Sequence, residues 1–106
     1  MSDDTKVLTK ARDLISSPER WTQGASARSA NGCPVRVSCP DAVSWCALGA
    51  IEKAAGNRNE WLDEMAKLRA VVGSSIIRFN DFHTHAEVLA AFDKAIEKNK
   101  PNPRDE

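Results

Sequence analysis

The chain has 106 residues, with 15 Lys and Arg set against 15 Asp and Glu. That length suits one domain able to bury a modest core without disulfides or metal, and the balanced charge excludes the broad positive field that general nucleic-acid binding requires. No run of about 18 apolar residues is present to span a bilayer, and the start Met1-Ser2-Asp3-Asp4 is acidic where a signal peptide is basic and then apolar, so a cytoplasmic protein with no membrane partner is expected.

From Asp4 to Ser16, Val7, Leu8, Ala11, Leu14 and Ile15 fall on one helical stripe and Lys6, Lys10 and Asp13 fall largely opposite, which predicts an amphipathic helix ending at Ser16-Ser17-Pro18. Between Trp21 and Val37 the helical period is lost; Gly24, Asn31-Gly32 and Pro34 punctuate short stretches, and Asn31-Gly32 is a turn signal for a short hairpin. A second helix is expected from Ser38 or Cys39, with Pro40 and Asp41 in its first turn, running to about Ala55. Its face of Ala42, Cys46, Gly49, Ala50 and Ala54 is small enough to let another backbone approach closely. A third helix is expected after Asn59 as N-cap, with Trp61, Leu62, Met65, Leu68 and Val72 facing the core as far as Gly73. Ser74 to Phe82 looks too short and mixed for a helix, and Ile76-Ile77 is read as a short extended segment. The last helix has the clearest start, the capping box Thr84-His85-Ala86-Glu87, followed by a stripe of Val88, Leu89, Phe92, Ala95 and Ile96.

These elements predict a mainly α fold: one small helical domain over residues 1–98, about four helices with a short irregular arm or β-hairpin between the first two, and a disordered polar tail over 99–106. Cys33, Cys39 and Cys46 are an odd set without a CxxC pair, which points to reduced thiols, with a Cys33–Cys39 bridge across the hairpin as the alternative.

Three clusters stand in order along the chain: Trp21-Thr22-Gln23-Gly24-Ala25 followed by Ala27-Arg28; Trp45-Cys46-Ala47-Leu48-Gly49-Ala50; and Phe79-Asn80-Asp81 leading into Glu87-Val88-Leu89. Together they resemble the bacterial and phage domain-of-unknown-function family 6197, over about residues 8 to 97. The third cluster departs from the family in having Phe79 where tryptophan is favoured, a conservative change. The resemblance implies a shared fold unit and brings no activity, cofactor or site with it.

The chemistry-bearing residues admit several readings. Cys46 as nucleophile, His83 or His85 as base, Asn80 or Asp81 to orient it and Gln23 at the oxyanion would make a thiol hydrolase; the competing reading is an inert cysteine on the small-residue face, about two turns inside its helix. Asp81, His83 and His85, with one or more of the cysteines, are potential zinc ligands, but no second paired motif completes a closed four-ligand site, so no metal and no cofactor is expected. Trp21, Trp45 and Trp61 could wall an aromatic pocket with Arg28 or Arg78 on a phosphate, against the simpler role of anchoring the arm. Asn80-Asp81 reads as a turn or early cap before the last helix, and Arg28 as a partner for Asp81.

Trp21, Gln23, Arg28, Asn80 and Asp81 are therefore the candidate binding residues, because polar side chains in a non-helical arm are seldom needed for packing. The catalytic signature is incomplete, so the leading expectation is a non-enzymatic module binding a protein or a small ligand through the arm from Trp21 to Val37. The alternatives are a Cys46-dependent hydrolase or transferase and, from the family's distribution, a phage-encoded inhibitor of a host protein.

Overall fold

Apolar stripes at helical spacing need a common core, and in the computed structural model, which describes residues 5–99, they find it by stacking around α1 (Lys6–Leu14). Leu8, Ala11 and Ile15 are fully buried there, with Val7 and Leu14 packed at the margin. A 3₁₀ turn, Pro18–Arg20, follows, because proline pre-sets the first helical residue but cannot extend α1. Then come β1 (Ala27–Ser29), β2 (Pro34–Val35), β3 (Ala42–Trp45), α2 (Ala47–Ala54), α3 (Arg58–Val72), α4 (Ile76–Phe82) and α5 (His85–Asn99). Helix α1 packs on α2 and α5, and α3 closes against α5 and α2. The core joins Phe92, Val88 and Ala95 of α5 to Ala50 and Ile51 of α2 and Leu68 of α3.

The mainly helical expectation holds, with five α-helices among the described residues where about four were expected, and a small sheet besides. Residues 100–106 of the expected tail, and Asp4 at the expected start of α1, lie outside the described residues; Asn99 is the last residue of α5.

The arm contains the anticipated hairpin, with β1 antiparallel to β2, but its connection is longer than two residues: Ser29 N donates to Cys33 O and Gly32 N to Ser29 O. Only Gly32 takes a positive φ (83°) in that loop, so Asn31 is not the left-handed partner that a two-residue turn would demand.

The second helix begins far later than expected. Cys39-Pro40-Asp41-Ala42 closes a tight turn through Ala42 N to Cys39 O, placing Pro40 at its second position, where proline suits a turn as well as it suits a helix start. Ala42-Val43-Ser44-Trp45 then pairs with β1, so the sheet runs in the order β2-β1-β3. Trp45, Ser44 and Ala42 lie opposite Ala27, Arg28 and Ser29, with Val43 passed over at an irregularity, and this pairing overrides the weak helical pattern.

Two other boundaries move. Asn57, not Asn59, caps α3: its Oδ1 accepts Glu60 N at 2.9 Å while Glu60 Oε1 accepts Gly56 N at 2.6 Å. On α3 Leu68 is buried as expected, but Leu62 stays 39% exposed and Glu64 is buried in its stead, its Oε2 held by Lys67 at 3.0 Å. Residues 76–82 form a helix, not an extended segment, with Ser75 Oγ accepting Arg78 N.

The capping box of α5 forms as read: Glu87 N donates to Thr84 Oγ1 at 3.2 Å and Thr84 N to Glu87 Oε1 at 2.8 Å. That backbone hydrogen bond from Thr84 holds the Glu87 carboxyl below its ordinary value. Its stabilising contribution is therefore present above the ordinary carboxylate range and fades as the pH falls through the lowered value.

Candidate functional site

A chain leaving the Pro18–Arg20 turn in extended conformation must satisfy its backbone groups against something. Trp21 lies in a parallel bridge with Trp45, and Thr22 N donates to Trp45 O at 3.0 Å, so the arm runs beside β3. Its side chains then meet α4.

The centre is Asn80, fully buried on α4. Its Oδ1 accepts Trp21 Nε1 at 2.7 Å and Ala47 N at 2.9 Å; its Nδ2 donates to Thr22 O at 2.9 Å and more weakly to Asp81 Oδ1 at 3.3 Å. An amide side chain offers two acceptor sites and two donor hydrogens, and all four are used. One residue thereby ties together the arm, the first turn of α2 and α4.

Gln23 works beside it. Its two Nε2 hydrogens are shared among the carbonyls of Asn80, Asp81 and His83, each 3.0–3.1 Å from the nitrogen, which covers orphan carbonyls at the C-terminal end of α4. Gly24, at φ 80°, turns the chain so that its N–H reaches Asp81 Oδ1 at 3.0 Å. Arg28 does not pair with Asp81. Its guanidinium binds Thr22 Oγ1 (2.9 Å), Gly32 O (2.8 Å) and Gln23 O (3.1 Å), so it braces the arm internally.

The structure thus brings Trp21, Gln23, Asn80 and Asp81 into one network with Arg28 at its edge, and much of their hydrogen-bonding capacity goes to one another. Asn80 and Asp81 belong to the last turns of α4 rather than to a turn before α5. Thr22 and the Ala47 N–H belong to the network too; neither has a side-chain signature a sequence reader would single out.

Cys46 is not two turns inside a helix. It is the N-cap of α2, 5% exposed, with Sγ accepting Gly49 N at 3.3 Å and its own N–H donating to Ser26 O. The small-residue expectation is met at Gly49, where the backbone of Ser26 comes so close that an added Cβ would stand 2.2 Å from its carbonyl oxygen. Burial pushes the Cys46 thiol above its ordinary value, the Gly49 and Leu48 N–H groups pull it back, and the nearby Asp81 carboxylate pushes it up again. A folded-state value raised in this way means that the linked stability is complete below the ordinary thiol value and is lost as pH rises through the higher one.

Neither imidazole hydrogen-bonds the thiol; both turn to backbone carbonyls. His83 Nδ1 lies 2.9 Å from Phe79 O with its ring stacked on Phe79, and His85 Nε2 lies 2.7 Å from Ile15 O with its ring near Trp21. Among the described residues no group of three or more His, Cys, Asp or Glu is placed to hold a metal ion. Trp21 and Trp45 belong to the arm's anchorage, whereas Trp61 lines a different cavity, at the junction of α2 and α3. Among the described residues no helix is long and apolar enough to cross a membrane.

Two hollows flank the segment Gly24–Ser26. One is an open trough of about 770 Å³ bordered by Pro34, Val35, Arg36 and Glu52. The other, about 200 Å³, has Cys46, Ile77 and Asp81 on its walls. At the rim Ile77 is 52% exposed, and on the same helix Phe82 is 75% exposed; a helical wheel shows both only once residues 76–82 are drawn as a helix.

The model of DUF6197, a family of unknown function, matches residues 1–98. The chain belongs to that family. No curated protein and no solved structure matches it. All three clusters that carried the resemblance meet in space: the first supplies the arm, the second the start of α2, and the third the amide that joins them. The family's description names no function, so membership brings no chemistry to this network.

Proposed function

We propose that the chain is a non-enzymatic protein-interaction module of bacterial or phage type, whose working surface is the arm from Trp21 to Val37 together with the outer face of α4. The observation that carries this reading is the exposure of Ile77 and Phe82 beside an arm pinned from behind. Scattered apolar residues on a surface need no explanation. Here, however, the inner face of α4 is committed to Asn80, and its outer face presents two ridges, Ile77 with Asp81 and Arg78 with Phe82, each pairing an apolar with a charged side chain at i, i+4. Arginine and aromatic residues are enriched where proteins bind one another.

The test is photo-crosslinking from a benzoylphenylalanine introduced in place of Phe82, in the producing cell. One discrete adduct is expected, and Ile77→Ser with Phe82→Ser should remove co-purification of that partner while shifting Tm by no more than about 3 °C, as exposed positions do. Absence of any adduct retires the reading.

A thiol hydrolase or transferase is the second reading, favoured by one fact: Cys46 caps α2 and lines a hollow. Burial and Asp81 work against its thiolate. Timed alkylation with mass spectrometry separates the two. Cys33, exposed, should react first and Cys39, half-buried, next, while Cys46 should react only on unfolding; fast labelling of native Cys46 near neutral pH would promote the enzyme.

A further inference from the structure

We propose that the hollow between the arm and α4 receives a single lysine side chain from a protein partner, with the ammonium on Asp81 and the stem against Ile77. This rests on the interaction reading above and names the chemistry of the contact.

Size comes first. At about 200 Å³ the hollow is smaller than the roughly 300–1,000 Å³ of sites for whole small-molecule ligands, which leaves room for one side chain. Charge comes second. Its walls are Gly24, Ala25, Ser26, Cys46, Ile77 and Asp81, so the Asp81 carboxylate is the one formal charge among the described residues that line it. Of the two ion pairs among the described residues, Arg12 with Asp93 and Lys67 with Glu64, neither involves Asp81. A half-buried carboxylate on a concave wall gains more from a cation than one in open water, since the dielectric around it is lower.

The hydrogen-bond pattern then selects lysine over arginine. Asp81 Oδ1 already accepts Gly24 N at 3.0 Å and Asn80 Nδ2 at 3.3 Å, whereas Oδ2 accepts from no described residue. One open oxygen cannot meet the two-pronged fork of a guanidinium, but it suits the point charge of an ammonium. Ile77, at the rim and half exposed, offers apolar surface to a lysine stem, which packs on such surfaces while its head stays polar.

The probe is N-acetyl-lysine methylamide, titrated into the full chain and followed by ¹H–¹⁵N NMR at Gly24, Ala25, Ser26 and Ile77. Saturable shifts are expected with half-saturation at about 1–10 mM, the range open to so small a ligand. The norleucine analogue, which keeps the stem and lacks the charge, should give no saturable shift, and the arginine analogue should bind about threefold or more weakly. Asp81→Asn retains an acceptor for Gly24 N and should weaken the lysine compound about tenfold; if that variant does not fold, the norleucine comparison in the unaltered chain decides. Equal binding of norleucine, or no shift with lysine, overturns the proposal, and tighter binding of n-butylammonium overturns its assignment to a protein side chain. Failure here with the Phe82 adduct retained overturns the lysine contact alone, while loss of the adduct overturns the interaction reading beneath it.

Discussion

Asn80→Ala is expected to lower the stability of the chain by about 3–5 kcal/mol, measured by urea denaturation with tryptophan fluorescence as one probe. The size follows from what alanine leaves behind. Asn80 is fully buried, and its removal takes the partner from Trp21 Nε1, Ala47 N and Thr22 O, the Ala47 contact buried and the other two partly so. An unsatisfied buried polar group costs about 1–3 kcal/mol, and a cavity the size of an amide adds to it. Asn80→Asp separates the parts. It restores an acceptor for Trp21 Nε1 and Ala47 N, but it replaces the donor to Thr22 O with a second acceptor and buries a charge beside Asp81. It should therefore be no more stable than the alanine variant near neutral pH. A loss of under about 1 kcal/mol for Asn80→Ala would mean that the arm is not anchored through this amide.

How much of this was legible in the sequence depends on whether the deciding interaction was local. The capping box at Thr84 and Glu87 was readable because both partners lie within one turn, and the stripes of α1 and α5 because amphipathic periodicity is a property of the segment itself. The start of α2 was not, since Pro40-Asp41 satisfies a helix start and a turn equally and only pairing with β1, from a distant part of the chain, decides for β3. Helix α4 was missed for a related reason: its inward face carries Asn80 beside Ile76 and Phe79, and a polar residue breaks the apolar pattern unless the partners that satisfy it are known. Of the candidate site, Trp21, Gln23, Arg28, Asn80 and Asp81 do come together, but their roles were hidden because each depends on a carbonyl or N–H that no side chain announces. The exposed pair Ile77 and Phe82 became visible only once the helix beneath them was known.

Gly49→Ala tests the arm from the opposite side, with an expected loss of about 2–4 kcal/mol, somewhat above the usual cost of overpacking. On helix propensity alone alanine in place of glycine would stabilise a helix by roughly 1 kcal/mol. Here the new methyl would stand 2.2 Å from Ser26 O and 3.3 Å from Val37 Cγ2. The first of these is backbone and cannot rotate away, so the Ser26 segment must move off α2 or the helix must shift, and either breaks the Cys46 N–H to Ser26 O hydrogen bond. Losing it uncovers the thiol, so the same variant should make Cys46 alkylate in the native state before global unfolding, and local opening of the arm then appears as labelling that precedes the denaturation midpoint. Serine at this position should be worse than alanine, since it adds bulk at the same contact. A Gly49→Ala chain as stable as the parent, with Cys46 still protected, would show that the arm can stand off α2 without cost and that its rigidity comes from its contacts with β3 and α4.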